Sequence, residues 1–243
     1  MRIPRLYVDL PLATHKQFEL PLARAHYLVN VLRIRQGQAI TLFNGQGGEY
    51  NAVISQLSKK RVLVEVGTFN NINNESHLHI ELAIGLSKGD RMDWVMQKAT
   101  ELGVKTFIPI LTERSEVKLS AERWQKKLNH WQEIIINACE QCGRNITPAL
   151  REPIALQEYV KNTSCNLKLI LHPYDNSFAL AELSRSTSIS LLVGPEGGFS
   201  SDEVHVAISA EFGSWQLGPR ILRTETAPLA AISVLQARYG DFS

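Results

Sequence analysis

Two glycine-rich stretches that follow short apolar runs constrain the fold of this chain more than any other feature. In the first, residues 191–200, three apolar residues precede the run Gly-Pro-Glu-Gly-Gly-Phe-Ser. An apolar run that stops at glycine predicts a buried strand ending in a loop, and the glycines allow a sharp bend and a close ligand. Ser200, with Glu203 three residues later, predicts a capping box at a helix start.

The second stretch, residues 217–226, repeats this order of elements. A short strand ends at Leu217, Gly218 turns the chain, and Thr224 or Thr226 begins the last helix. Open α/β sheets bind ligands in the crevice at the carboxyl ends of their strands. The two stretches therefore predict a ligand site, although two ordinary glycine turns would have the same spacing.

Composition bounds the class of protein. The chain has 243 residues, of which 44% are hydrophobic and 21% charged, as in soluble proteins of one large or two smaller domains. No apolar run approaches the roughly 20 residues that span a bilayer, and the first residues lack a signal-peptide core. We therefore expect a cytoplasmic protein with no membrane partner, and three cysteines predict no disulfide framework.

Positive charge is concentrated at the front of the chain. Residues 1–70 carry nine Lys/Arg and four Asp/Glu, a balance of +5, whereas the remainder carries 17 and 20, a balance of −3. A basic segment on a near-neutral protein indicates contact with a polyanion, and the alternative is a solvated surface with a few extra cations. The predicted phosphate contacts are Arg2, Arg5, Arg24, Arg33 and Arg35.

A polar, asparagine-rich segment at residues 68–76 separates two kinds of pattern. Before it the sequence predicts one helix at 22–32 and short strands at 5–9, 38–43, 49–57 and 60–67. This set is typical of a small β-barrel-like module, and such barrels often bind nucleic acid.

After that segment, predicted strands and helices alternate. The strands are expected at 79–86, 106–111, 167–172 and 188–193, and the helices at 90–103, 120–142, 201–212 and 224–239. This alternation predicts a mostly parallel sheet with helices on both faces.

Several familiar chemistries find no support in the motifs. The chain has neither a Walker A motif nor Gly-x-Gly-x-x-Gly after a strand, and Ser200 lacks the elbow of a hydrolase nucleophile. Cys139 and Cys142 would supply only half of a zinc site, so two partly buried thiols are the favoured interpretation and no metal is expected. His172 ends a strand and either lines the crevice or is an ordinary surface histidine.

Five motifs together resemble one family across essentially the whole chain. They are Ala-Thr-Glu-Leu-Gly-Val at 99–104, Thr-Glu-Arg-Ser at 112–115, Ala-Cys-Glu-Gln-Cys-Gly-Arg at 138–144, and the two glycine stretches at 194–200 and 217–227. The chain is similar to the RsmE family, whose members are bacterial 16S ribosomal RNA uridine N3-methyltransferases of the SPOUT superfamily. The last two motifs are the most specific.

The resemblance implies a fold and an assembly. The expected architecture is a PUA-like RNA-binding β-barrel at residues 1–70, a linker at 71–76, and a SPOUT α/β methyltransferase domain with a trefoil knot at 77–243. The family also implies a homodimer, with the active site completed across the interface, and the small ribosomal subunit as partner.

The resemblance further implies a site for S-adenosylmethionine between three loops. Apolar Leu217, Ile221 and Leu222 suit adenine, and Glu196 either faces the sulfonium or has a structural role in its turn. Carried over by motif, the cofactor-binding residues are Leu171, His172, Gly194, Glu196, Gly197, Gly198, Leu217, Gly218, Ile221, Leu222 and Thr224.

Uracil N3 bears a proton, so its methylation needs a base or a cation that favours the anion. Glu225 is the candidate base, and Arg223 is the candidate stabiliser of the anion or ligand of phosphate. An ion pair, or a charge that orders the start of the last helix, is the alternative for both. Arg114 and Arg144, which lie in family motifs, are candidates for contact with RNA or with a second subunit. The target base in structured RNA is expected to be extruded.

Two other functions compete with this one. The first is a different SPOUT activity, such as ribose 2′-O-methylation, which the modified nucleoside would distinguish. The second is a non-catalytic RNA-binding protein of ribosome assembly, which would show no saturable cofactor binding. The intact glycine stretches argue against the second.

Overall fold

The computed structural model describes residues 3–58, 61–115, 120–172 and 188–242 of the chain. Contacts divide the chain into two compact units, the first comprising residues 1–75 and 139–147 and the second 76–138 and 148–243. The sequence predicts that residues 139–147 belong to the second domain. These residues belong to the first unit because Arg144 pairs with Glu75 and the Asn145 amide donates to the Ile72 carbonyl.

The first unit comprises β1 (Arg5–Tyr7), β2 (Gln17–Glu19), α1 (Leu22–His26), a π-helical turn (Tyr27–Val31), β3 (Ala39–Phe43), β4 (Glu49–Leu57) and β5 (Val62–Asn70). The five strands form one sheet with the order β1-β3-β4-β5-β2. Val62, Val64 and Val66 occupy alternate positions of β5, and all three are buried, as the sequence predicted. The three-residue β2 was not predicted, because so short a strand shows no alternation.

The second unit contains a seven-stranded sheet in which every recorded strand pair is parallel. This confirms the alternating strand and helix prediction. The strands are β6 (His79–Gly85), β7 (Thr106–Leu111), β8 (Ala149–Leu150), β9 (Ile154–Ala155), β10 (Leu167–Leu171), β11 (Ser188–Val193) and β12 (Gly213–Trp215). The helices are α2 (Arg91–Glu101), α3 (Ala121–Cys142), α4 (Leu156–Asn162), α5 (Ser201–Ser209) and α6 (Thr226–Tyr239).

The central strands are apolar because both faces of the sheet are covered. Leu82, Ala83 and Ile84 of β6 have no exposed surface, and neither do Leu191 and Leu192 of β11. Helices α4 and α5 pack on one face. The short elements β8, β9 and α4 were not predicted, since two to seven residues carry too little periodicity.

The order of the strands in the second unit determines where a ligand crevice forms. The order is β12-β10-β11-β6-β7-β8, so the chain leaves β6 toward β7 on one side and later returns to build β11, β10 and β12 on the other. This reversal is a topological switch point, beside which parallel sheets form a crevice. The carboxyl ends of β10, β11 and β12 are neighbours, as their registers Leu169↔Leu191 and Leu171↔Trp215 show.

No helix in the four described ranges has both the length and the apolar character that crossing a membrane requires.

Candidate active site

The carboxyl end of β10 and the loops that follow β11 and β12 line a cavity of about 430 Å³. The ends of β10 and β12 are joined where the His172 backbone N–H donates to the Trp215 carbonyl over 3.2 Å. Every residue that the sequence analysis assigned to the cofactor lines this cavity: Leu171, His172, Gly194, Glu196, Gly197, Gly198, Leu217, Gly218, Ile221, Leu222 and Thr224. The structure thus brings together residues that span more than 50 positions of the chain.

Backbone conformation explains the glycines in two of these loops. Gly198 has φ of +66° and Gly218 has φ of +72°, a region that side chains with a Cβ rarely adopt. Each glycine therefore lets its loop turn back toward the cavity without strain.

A capping box fixes the start of α5, as the sequence predicted. The Ser200 hydroxyl accepts from the Glu203 N–H, and the Glu203 carboxylate accepts from the Ser200 N–H over 2.8 Å. The other Glu203 oxygen accepts from the Glu113 N–H, also over 2.8 Å, and only 3% of the residue is exposed. Glu203 therefore ties the loop after β7 to the loop after β11, a role that the sequence analysis missed.

Arg114 lies on the loop after β7 and faces the glycine loop. Its guanidinium donates to the Gly197 carbonyl over 2.8 Å, and its side chain packs on the open face of that glycine. Arg114 lies on the wall of the first cavity, and its expected contact with RNA or with a second subunit stays a prediction. Arg220, which was not predicted, adds a second guanidinium to this wall.

Glu196 points toward the loop after β6. Its carboxylate accepts from the Lys88 backbone N–H over 3.2 Å and forms a short ion pair with Arg91. These contacts favour the structural alternative for Glu196, because its charge is already neutralised by a guanidinium.

Arg223 and Glu225 line a second cavity of about 680 Å³ rather than the first. Glu225 is the N-cap residue of α6, and its Oε1 lies 4.0 Å from the Arg223 guanidinium. The Arg223 side chain is 86% exposed. The other Glu225 oxygen is shielded from solvent, accepts no hydrogen bond from the described residues, and lies 3.7 Å from Arg91 Nε.

Arg91 joins the two cavities. It pairs with Glu196 on the first and with Glu225 on the second, so one guanidinium holds two carboxylates. Arg91 was not predicted, because its position in the sequence is that of an ordinary exposed residue at a helix start. Its neighbours Asp90 and Trp94 also line the second cavity.

Comparison with known proteins gives the family. The family described as RNA methyltransferase domain matches residues 74–236, and the RNA methyltransferase PUA domain matches residues 21–67. Ribosomal RNA small subunit methyltransferase E of Buchnera aphidicola subsp. Acyrthosiphon pisum is 36% identical over 99% of this chain and 96% of its own length. Its Bacillus subtilis counterpart is 34% identical over 90% and 89%. The chain belongs to the family of ribosomal RNA small subunit methyltransferase E.

This methyltransferase E family member also resembles solved structures over its full length. The methyltransferase E of Neisseria gonorrhoeae, solved with S-adenosylmethionine, is 41% identical with a TM-score of 0.92, and both chains are covered completely. A Legionella pneumophila methyltransferase solved with the same cofactor is 43% identical with a TM-score of 0.96, again over all of both chains. The expected fold, an α/β methyltransferase domain after a PUA-like domain, is confirmed.

The arginines that were expected to bind RNA fall into two groups in this family member. Arg5 forms a short ion pair with Glu49, and Arg144 donates to Glu75 over 2.9 Å. Arg24 lies 3.7 Å from Glu140. Each of these three guanidiniums is largely buried against a carboxylate within the first unit, and their contact with RNA stays a prediction.

Two of the remaining arginines are open to solvent, and their contact with RNA stays a prediction. Arg33 and Arg35 follow the π-helical turn, and both are exposed. Arg2 lies outside the described residues.

The cysteines behave as buried thiols. Burial raises the pKa of Cys139 to about 12, although the nearby Arg144 guanidinium acts in the opposite direction. Burial also raises the pKa of Cys165 to about 11, while Cys142 is half-buried. Within the part of the chain that the structure describes, no three His, Cys, Asp or Glu side chains are grouped as metal ligands.

Proposed function

We propose that this protein transfers a methyl group from S-adenosylmethionine to N3 of a specific uridine in the 16S ribosomal RNA of the small subunit. One observation carries the proposal. The carboxyl end of β10 and the glycine loops after β11 and β12 line one cavity, and a second cavity with two acids and two arginines adjoins it through Arg91.

The lining of the first cavity suits the cofactor. Leu217 and Leu222 are half-buried apolar walls suited to adenine, and the turned glycine loops bring backbone groups to the surface. Arg114 and Arg220 place two cations on the wall, which suits the carboxylate of the methionine part. The volume of about 430 Å³ lies in the range of roughly 300–1,000 Å³ that is usual for small-molecule sites.

The second cavity supplies the groups that the acceptor needs. Glu225 lines this cavity, and its Oε2 accepts no hydrogen bond from the described residues, so the carboxylate is the candidate acceptor of the N3 proton. Arg223 is exposed at the same cavity and can stabilise the uracil anion. When bound, the cofactor supplies a methyl group on a sulfonium, and the N3–C bond forms as the S–C bond breaks.

The proposal assigns RNA binding chiefly to the first unit. Arg33 and Arg35 are its exposed cations among the arginines selected from the sequence, and we expect them to contact phosphates. The proposal also includes the domain roles at 1–70 and 77–243, the trefoil knot, the homodimer and the cytoplasmic location that the family resemblance implies.

Replacement of Glu225 tests the proposal. Glu225→Gln keeps the shape of the side chain and removes its basicity, so we expect unchanged cofactor affinity and methyl transfer to small subunits slowed by about a hundredfold or more. Asp202→Asn, an exposed carboxylate in the first turn of α5, is the matched control and should transfer at the wild-type rate. Full activity of Glu225→Gln would show that Glu225 is not the base.

A further inference from the structure

The second cavity contains a feature that the proposed chemistry does not use. Trp94 lies one turn into α2, lines the cavity, and is 53% exposed. Its neighbours Met92, Val95 and Met96 are buried and supply the packing of the helix. The chain has four tryptophans, and Trp131 and Trp215 are buried. Other large hydrophobic residues are also exposed, so what distinguishes Trp94 is its place in a cavity that charged residues line.

The charges around Trp94 suit a nucleotide. Lys88, Arg91 and Arg223 line the same cavity, as do the acids Asp90 and Glu225. Cations beside an exposed aromatic ring are the combination by which proteins hold single nucleotides, because the ring stacks on the base and the cations bind the phosphate. An apolar partner would leave these charges buried without compensation.

The position of the cavity suits a methyl acceptor. Along residues 223–227, Arg223, Glu225 and Thr226 line the second cavity, whereas Thr224 and Ala227 line the first. The segment 223–227 therefore contributes residues to the walls of both cavities. A base in the second cavity would lie beside the candidate base Glu225 and next to the cofactor site.

We propose that the second cavity is the pocket for the extruded target uracil, and that Trp94 is the surface on which this base stacks. Arg91 then orders the pocket, since it holds Glu225 on one side and Glu196 on the other. This inference rests on the proposed function, because it names the place where that function binds its substrate. Trp94 binds and positions the base and takes no part in proton transfer.

Substitution of Trp94 tests this inference in the full-length protein. Cofactor affinity is measured by calorimetry, and kcat and KM are measured with small ribosomal subunits that lack the modification. Loss of one stacked base should lower kcat/KM for Trp94→Ala by roughly ten- to hundredfold. Trp94→Phe keeps a stacking face and should stay close to wild type. Cofactor affinity should be unchanged in both, since Trp94 does not line the first cavity.

A control and the contrary outcomes complete the test. Ile208→Ala removes an exposed apolar side chain of α5 that lines neither of the two cavities, and should leave kcat/KM unchanged. Wild-type kcat/KM for Trp94→Ala would overturn the inference. The inference would also be overturned if Trp94→Ala no longer self-associates in sedimentation and regains activity at high protein concentration. Trp94 would then contact a second copy of the chain. If wild-type protein itself transfers no methyl group, the proposed function fails, and this inference fails with it.

Discussion

Glu203→Ala is the substitution for which the structure gives the clearest magnitude. The variant loses the two hydrogen bonds that the carboxylate accepts from the Ser200 and Glu113 backbone N–H groups. Hydrogen bonds to a charged group contribute about 1.5–3 kcal/mol each. Both donors lie near the surface, where water partly replaces the lost acceptor, so we take the lower value for each. We expect unfolding free energy to fall by about 3 kcal/mol.

Urea unfolding followed by tryptophan fluorescence measures this change, because all four tryptophans lie in the second unit. Glu203→Gln keeps one acceptor oxygen and should lose about half as much. We also expect weaker cofactor binding by Glu203→Ala, since the loops after β7 and β11 lose their common anchor.

Asp202→Asn is the control, because Asp202 lies beside Glu203 in the first turn of α5 and is exposed. Its loss should cost no more than the roughly 0.3–1 kcal/mol of a charge at a helix start. If the free energy of unfolding of Glu203→Ala lies within about 0.5 kcal/mol of the wild-type value, the anchoring role of Glu203 is wrong.

Three further predictions follow from the structure. A methyl group at Gly85 would lie 2.6 Å from the Pro195 nitrogen, so Gly85→Ala should displace the glycine loop and weaken cofactor binding measured by calorimetry. Arg33→Ala with Arg35→Ala should flatten the dependence of RNA affinity on salt by about 1.5 in logarithmic slope, because two phosphate contacts are lost. Iodoacetamide at pH 8 should label Cys142 first in intact protein by mass spectrometry, since the other two thiols are buried.

Each of these predictions has a result that would contradict it. Wild-type cofactor affinity in Gly85→Ala would show that the loop does not need its close approach to β6. For the salt dependence of RNA affinity, the control is Arg123→Ala with Arg151→Ala, which removes two exposed arginines from the second unit. If this control flattens the slope as much as Arg33→Ala with Arg35→Ala does, Arg33 and Arg35 have no special role in binding RNA. Early labelling of Cys139 would contradict its burial and its raised pKa.

Local sequence patterns predicted the framework of the site. The capping box of Ser200 and Glu203 depends on residues three apart, and the glycine loops follow apolar strands directly, so both can be inferred from short segments. The parallel sheet followed from the alternation of strands and helices. The cofactor roles of the residues around the first cavity stay predictions, although the structure brings those residues together.

Pairing between distant residues could not be predicted in the same way. Arg144 meets Glu75 across 69 positions, and Arg91 meets Glu225 across more than 130, so no spacing in the sequence reveals either pair. Charge counts identified the basic front of the chain but did not separate Arg5, which is buried beside a carboxylate, from exposed arginines. The second cavity was missed for the same reason, because α2 and α6 meet only in the folded chain.

The product of the reaction tests the central claim most directly. Purified protein, labelled S-adenosylmethionine and small ribosomal subunits that lack the modification are combined, and the nucleosides of the RNA are separated by mass spectrometry. The account predicts 3-methyluridine, formed by wild-type protein and strongly reduced with Glu225→Gln. Methyl groups on ribose, or cofactor binding with no methylated nucleoside, would contradict it.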